Sequence, residues 1–335
     1  MNAGKLILGF SVAVAACGSG SKTEKETLPS VDDYQEVAIF NGDSAYMHVA
    51  AQVEMGPRVP GSVGHARCLD YITGTFRRYG ADTVVEQAFT AEAHTGEVLG
   101  LTNVVARYNA AAPRRILIGA HWDTRPWGDM DETREGRSTP IPGANDGGSG
   151  VGVILEIARV LQNMPPAIGV DLVLFDGEDY GRSSSWSNDE ETWCLGSQYW
   201  KSNNGYGGKD ARPDYAVVLD MVGGKGARFH REVSSDIHAS EVVDRVWDMA
   251  RSSGYGDTFV NSAGGHIIDD HLSINRAGIP AIVVIESLNQ KTNSFNPTWH
   301  THQDDLSAID RKSLKAVGQT MVNLIYEEGG QAAKQ

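Results

Sequence analysis

The chain has 335 residues, 41% hydrophobic and 21% charged, with 43 acidic side chains against 29 Lys and Arg. This length suffices for one large α/β domain or two small ones. The net charge of −14 excludes a nucleic-acid binder that works through a basic face.

Met1 to Ala16 reads as an export signal. Lys5 supplies a positive start, and LILGFSVAVAA is an apolar run too short to span a bilayer. The run ends in Val14-Ala15-Ala16-Cys17, which resembles the lipobox of bacterial lipoproteins. That resemblance implies acylation of Cys17, a membrane anchor and exposure to the periplasm; an ordinary cleaved signal is the alternative. Residues 17–30 include the polar run GSGSKTEKE, a flexible tether, and residues 31–335 are left for the folded domain.

Apolar spacing predicts helices over Asp43 to Glu54 and Ser62 to Tyr79, the second stopped by Gly80. Runs rich in β-branched residues predict strands over Thr83 to Thr90, Leu99 to Tyr108 and Arg115 to His121. Asp123 to Gly143 is polar and rich in Pro and Gly, a loop long enough to suggest function. A helix over Gly147 to Asn163 follows, then strands over Val170 to Phe175, Tyr215 to Asp220 and Ile279 to Ile285. Helices over Ser235 to Ser252 and Asp310 to Glu327 complete the pattern. Alternating strands and helices imply an α/β sandwich, with helices on both faces of one twisted sheet.

In such sheets ligands bind beyond the carboxyl ends of the strands. Three segments there carry candidate metal ligands: GANDGGSG with Asp146, LFDGEDYG with Asp179, and NPTWHTHQDD with His300. Two carboxylates and one imidazole suit a catalytic zinc with an open position. Glu178 is then a spare carboxylate beside the metal, where a general base is needed. Taken singly, Asp146 reads as a helix cap, Glu178-Asp179 as a turn and His300 as a packed histidine. Their joint placement argues for the site. His121 and Asp220 also end predicted strands and complete a possible two-metal centre, so one and two metals both stay open. Cys68 and Cys194 carry no framework spacing, and a disulfide between them stays open.

The motifs GAHWD, ANDGGSG, DGED, VLDMVG and WHTHQDD resemble those of the zinc aminopeptidase-like family. Within it the chain is similar to the animal-type glutaminyl-peptide cyclotransferases, from about Asp43 to Glu327. The resemblance implies a three-layer α/β/α sandwich around a mixed sheet, and one zinc on Asp146, Asp179 and His300. Ile268-Asp269-Asp270-His271 resembles the cyclases' Asp-Asp-His segment, and Phe295 with Trp299 resembles their aromatic pocket. Trp186 or Trp193 is a candidate third wall. Two departures stand out. Asp179 replaces the usual glutamate, and Val283 stands where the animal enzymes carry a histidine.

The implied reaction is closure of an N-terminal glutaminyl residue of a peptide or protein to pyroglutamate, with loss of ammonia. Glu178 would move the proton, and Asp269 with Asp220 would orient the amide. Phe295 and Trp299 would fold the side chain toward its own amine. The competing expectation is a two-metal aminopeptidase that uses His121 and Asp220.

Overall fold

The structure is a computed structural model that describes residues 38–183 and 190–330, which belong to one unit, Val37–Gln335. The export signal, Cys17 and Trp186 lie outside the described residues. In chain order the elements are α1 (Gly42–Glu54), α2 (Val63–Arg78), β1 (Thr83–Glu92), β2 (Val98–Tyr108), β3 (Arg115–His121), α3 (Gly148–Asn163) and β4 (Gly169–Phe175). There follow α4 (Leu195–Asn203), β5 (Ala216–Leu219), β6 (Phe229–Arg231), α5 (Val233–Ser252), β7 (Phe259–Ala263), α6 (Asp270–Arg276), β8 (Ala281–Val284) and α7 (Arg311–Glu328).

Side-chain caps set where the long helices begin. Asn41 accepts from the N–H groups of Asp43 and Ser44, Ser62 from His65, and Asp310 from Lys312. Glu232 caps α5 through Ser234 and Ser235, which starts that helix two residues before the predicted Ser235. Strand β1 runs past the predicted Thr90 because its hairpin partner holds it, out to Glu92 opposite Val98.

The main sheet has the order β1-β2-β4-β3-β5-β8. Strands β1 and β2 are antiparallel, and β2 is antiparallel to β4. Strands β4, β3, β5 and β8 are parallel. The sheet is therefore mixed and six-stranded, as the resemblance implied. Alternate residues divide its two faces. Ile116, Ile118, Val170, Leu172, Val217 and Ile282 pack with α1, α2, α3, α5 and α7. Leu117, Val173, Phe175, Val218 and Val283 pack on the other face with Trp200 of α4 and Ile274 of α6. Val283 is thus a core residue, and its N–H donates to Ser235 Oγ at 3.1 Å.

Four elements have no counterpart in the sequence reading. Helix α6 has 7 residues and β6 has 3, too short for a period to register. Helix α4 (LGSQYWKSN) starts behind Cys194, which is left-handed and gives no side-chain cap. Strand β7 pairs only with β6, in a small separate sheet. Cys68 and Cys194 are both free thiols and both buried, so the open disulfide is not formed. Among the described residues no helix is long and apolar enough to cross a membrane.

Candidate active site

The site lies at the carboxyl ends of the central parallel strands. Strand β3 ends in His121, β4 runs into Glu178 and Asp179, and β5 runs into Asp220. In-register pairing of β3 with β4 and β5 brings these side chains to one edge. Asp146 sits in the turn before α3, and His300 in the loop after β8.

Carboxylates hold these segments, Asp123 and Asp304 buried and Asp129 half-buried. Asp123 accepts the backbone N–H groups of Glu178 and Asp179 at 3.0 and 3.1 Å. Asp304 accepts those of Asn145 and Asp146 at 2.8 and 3.0 Å. Asp129 lies 2.9 Å from Nδ1 of His300. The Arg125 guanidinium grips Asp129 through Nε and Nη2 at 3.2 and 2.9 Å, and its Nη1 donates to the carbonyl of Asp179 at 2.9 Å. The Asp123 to Gly143 loop is therefore part of the site. Gly147 completes the turn at φ 75°, where a Cβ would run into the Asp123 carbonyl and the His121 ring.

Two sets of possible ligands result. The ligand atoms of Asp146, Asp179 and His300 lie within 4.8 Å of one another, as do those of His121, Asp146 and Asp220. Asp146 is common to both. The first set fits a metal on three grounds. Both Asp179 carboxylate oxygens are buried, and neither takes a well-aligned hydrogen bond. His300 Nε2 faces Asp179 Oδ1 at 3.2 Å and Asp146 Oδ2 at 3.7 Å. Asp129 occupies the other ring nitrogen, as a carboxylate does behind a metal-bound histidine. The shorter Asp179 side chain thus reaches its place, because Asp123 holds its backbone. His300 itself has φ 56°, a left-handed conformation costing on the order of 1 kcal/mol that the surrounding contacts must hold.

Electrostatics agree with a cation site. Burial, then the charge of Asp146, raises the Asp179 carboxyl to about 6. Burial also raises Glu178 well above the usual glutamate range, with His121 opposing and Asp179, Asp269 and Asp270 adding to it. Burial works against the charged form of His300, yet Asp179 and Asp129 raise it to about 9. Acids crowded in a dry site are relieved by a divalent cation.

Residues 103–325 match the model of peptidase family M28. The chain belongs to peptidase family M28. It is similar to a Bacteroides thetaiotaomicron glutaminyl cyclase solved with N-acetylhistamine, at 43% identity and a TM-score of 0.83, covering 87% of this chain and 99% of that one. It is equally similar to a structure from the same organism described as a leucine aminopeptidase precursor, at 43% identity and a TM-score of 0.82, covering 87% and 98%. The bovine glutaminyl-peptide cyclotransferase is 23% identical over 81% of this chain and 78% of its own length. The second of these names is an aminopeptidase's, so the pocket has to separate the two reactions.

In this M28 chain a cavity of about 700 Å³ opens over the ligands, lined by Asp146, Glu178, Asp179, Asp220 and His300. Three aromatic rings wall it. Trp299 stacks on His300 with centroids 3.8 Å apart, and Phe295 lies 4.6 Å from Trp299. Trp193 stacks at 6.2 Å from His300, and a Cβ on Gly181 would overlap its indole. Trp193 is therefore the third wall, and Trp186 lies outside the described residues. Asp269 is buried at the N-cap of α6, with Oδ2 lacking a partner; it sits behind Glu178 and Asp220 and does not line the cavity.

The sequence reading passed over several contributors. Asp123 and Asp304 stand inside the quoted GAHWD and WHTHQDD motifs, but a bracing role shows only in three dimensions. Asp129 and Arg125 lay in the loop marked as functional. Cys194 donates its thiol to Glu178 Oε1 at 3.3 Å, a contact with no sequence signal.

Proposed function

We infer that this M28 chain is a glutaminyl cyclase, which closes an N-terminal glutaminyl residue to pyroglutamate and releases ammonia. The observation that carries the reading is the aromatic enclosure of the metal-ligand edge by Phe295, Trp299 and Trp193. It sets flat apolar faces beside the ligands, against which a small amide side chain can lie. The likeness to a solved glutaminyl cyclase at 43% identity supports it.

The residues divide the work as follows. Asp146, Asp179 and His300 would hold one zinc ion. When bound, that ion would polarise the γ-carboxamide oxygen and stabilise the charge that develops on it. The substrate's α-amine attacks its own γ-carbon, the new C–N bond closes the ring, and the bond to the amide nitrogen breaks. Glu178 takes the proton lost by the amine and delivers it to the departing ammonia, so it ends as it began. Its burial favours the protonated state after the first transfer. Asp220, with Asp269 behind it, orients the amide NH2 group, and Phe295 and Trp299 keep the side chain folded toward the amine. Val283 removes the relay through a strand histidine, so this chemistry runs without it.

The deciding assay offers a glutaminyl peptide and an aminoacyl chromogenic amide to the zinc-loaded protein. Ammonia from the first with no amine from the second is expected; the reverse overturns the reading. One observation favours an aminopeptidase, the second ligand set of His121, Asp146 and Asp220. That reading requires two zinc ions and an activated water.

We also propose that Cys17 is lipidated and tethers the enzyme to a membrane on the periplasmic side, where it would meet the amino termini of exported proteins. Val14-Ala15-Ala16-Cys17 supports this. Cys17→Ala should move the protein from the membrane to the soluble fraction, and unchanged membrane association would refute the anchor.

A further inference from the structure

Behind the loop that carries the aromatic wall lies a second cavity, of about 670 Å³. Leu288 lines both cavities, and the ridge 288–299 separates them. A peptide whose first residue occupies the aromatic pocket has this cavity across the rim for its later residues.

The lining carries three cations against the two carboxylates of Glu286 and Asp305, although the chain as a whole is strongly acidic. Lys225, Arg228 and Lys291 line it. None of the three forms an ion pair among the described residues, and Arg228 Nε is buried with no hydrogen-bond partner. The acids and the histidine nearby are already engaged. Glu286 is buried and accepts from Asn289 and Asn296 at 3.0 and 3.1 Å. Asp305 accepts from the N–H of Ser307 at 2.7 Å. His302 is held by Asp131 at 2.8 Å and Thr139 at 3.1 Å. Three cations without an ion pair therefore face one concave space, together with the amide of Gln303, which suits a peptide group. Elsewhere on this protein, arginines such as Arg114, Arg231 and Arg245 are paired with carboxylates.

We propose that this cavity is an extended substrate subsite that takes a carboxylate side chain a few residues beyond the N-terminal glutamine, so that the enzyme favours acidic amino-terminal segments. This rests on the glutaminyl-cyclase reading. The overall charge of −14 would otherwise repel such substrates, so a local cationic pocket decides their selection.

The test uses zinc-loaded protein and heptapeptide amides that begin with Gln. All other positions are Ala, and one Asp is moved from the third to the sixth position. Wild type should show kcat/KM raised about 5-fold over the all-Ala peptide at one position, the size of one partly exposed ion pair. The gain should vanish at high salt. In Lys225→Glu/Lys291→Glu the acidic-to-neutral ratio should fall to one or below, and a Lys scanned along the same peptide should become favoured. A ratio of one at every position in wild type overturns the subsite, as does a ratio the double variant leaves unchanged. If no peptide releases ammonia, the cyclase reading fails by itself. Anisotropy of a labelled acidic peptide then decides the cavity. Weaker binding by the double variant supports it, and equal binding refutes it.

Discussion

The two ligand sets sharing Asp146 differ in how far their own hydrogen bonds satisfy them. In the His121, Asp146 and Asp220 set, His121 Nε2 lies 3.2 Å from Asp220 and 3.1 Å from Asp146. A protonated imidazole would meet both carboxylates through that one nitrogen, and burial is outweighed by Asp123, Asp146 and Asp220 in raising His121 well above its ordinary range. In the Asp146, Asp179 and His300 set, Asp179 has two buried oxygens without a well-aligned hydrogen bond, and His300 is turned by Asp129 so that Nε2 faces the carboxylates. Each set keeps a buried polar atom without an aligned hydrogen bond: His121 Nδ1 in the first, and both Asp179 oxygens in the second. The difference teaches that the same donor types do not make equal metal sites: in the second set the histidine is oriented from behind by Asp129 and both Asp179 oxygens stay open to an ion.

The largest effect expected of any substitution is at Glu178. Glu178→Gln should lower kcat by about 10³-fold while zinc content stays at the wild-type level. A near-native rate would remove Glu178 from the proton-transfer role. Next come the two sets themselves. Metal analysis should find ~1 zinc per chain. His300→Ala and Asp179→Asn should lose metal and activity together, whereas His121→Gln should keep the zinc. Two zinc ions per chain, one of them lost in His121→Gln, would erase the contrast between the sets and favour the peptidase reading.

A smaller effect should come from beneath the ligands. Asp304→Asn keeps the volume but weakens its acceptance from the Asn145 and Asp146 N–H groups. Zinc affinity should drop about 10- to 100-fold, the usual cost of losing an outer partner, with kcat largely restored at saturating zinc. Unchanged affinity by competition with a chelating dye would show that Asp304 serves the fold alone. Smallest is a pH effect remote from the site. Burial lowers His48 from 6.5 to about 4, so the folded chain holds it neutral while the unfolded chain protonates. Its contribution is present above pH 6.5 and is lost as pH falls through that window. That makes about 3 kcal/mol when complete. His48→Gln should flatten this part of the stability curve in urea titrations at pH 7.5 and 4.5, and an unaltered curve would discount it.

Much of the site was legible before the fold. Asp146, Glu178, Asp179, Asp220 and His121 follow strands or open a helix, and strand ends are readable from runs such as RILIGAH and VDLVLF. Phe295 and Trp299 were flagged by their place beside His300. Trp193 had no local signal as a wall, because its place there shows only in the close passage over Gly181. The braces Asp123, Asp129 and Asp304 were invisible in role. Each acts across 55, 171 or 158 residues of chain, and no local period or motif encodes such a pairing.

The order of strands and helices, the acids at the strand ends and the histidine after an aromatic were determined by the sequence alone, since hydrophobic period and residue chemistry are local properties. Which oxygens stay open to an ion, that Trp193 reaches the pocket and where the free cations gather were decided only by the folded chain. These depend on the partners a side chain finds from distant segments, and burial turns such partners from minor contacts into determinants of charge and position.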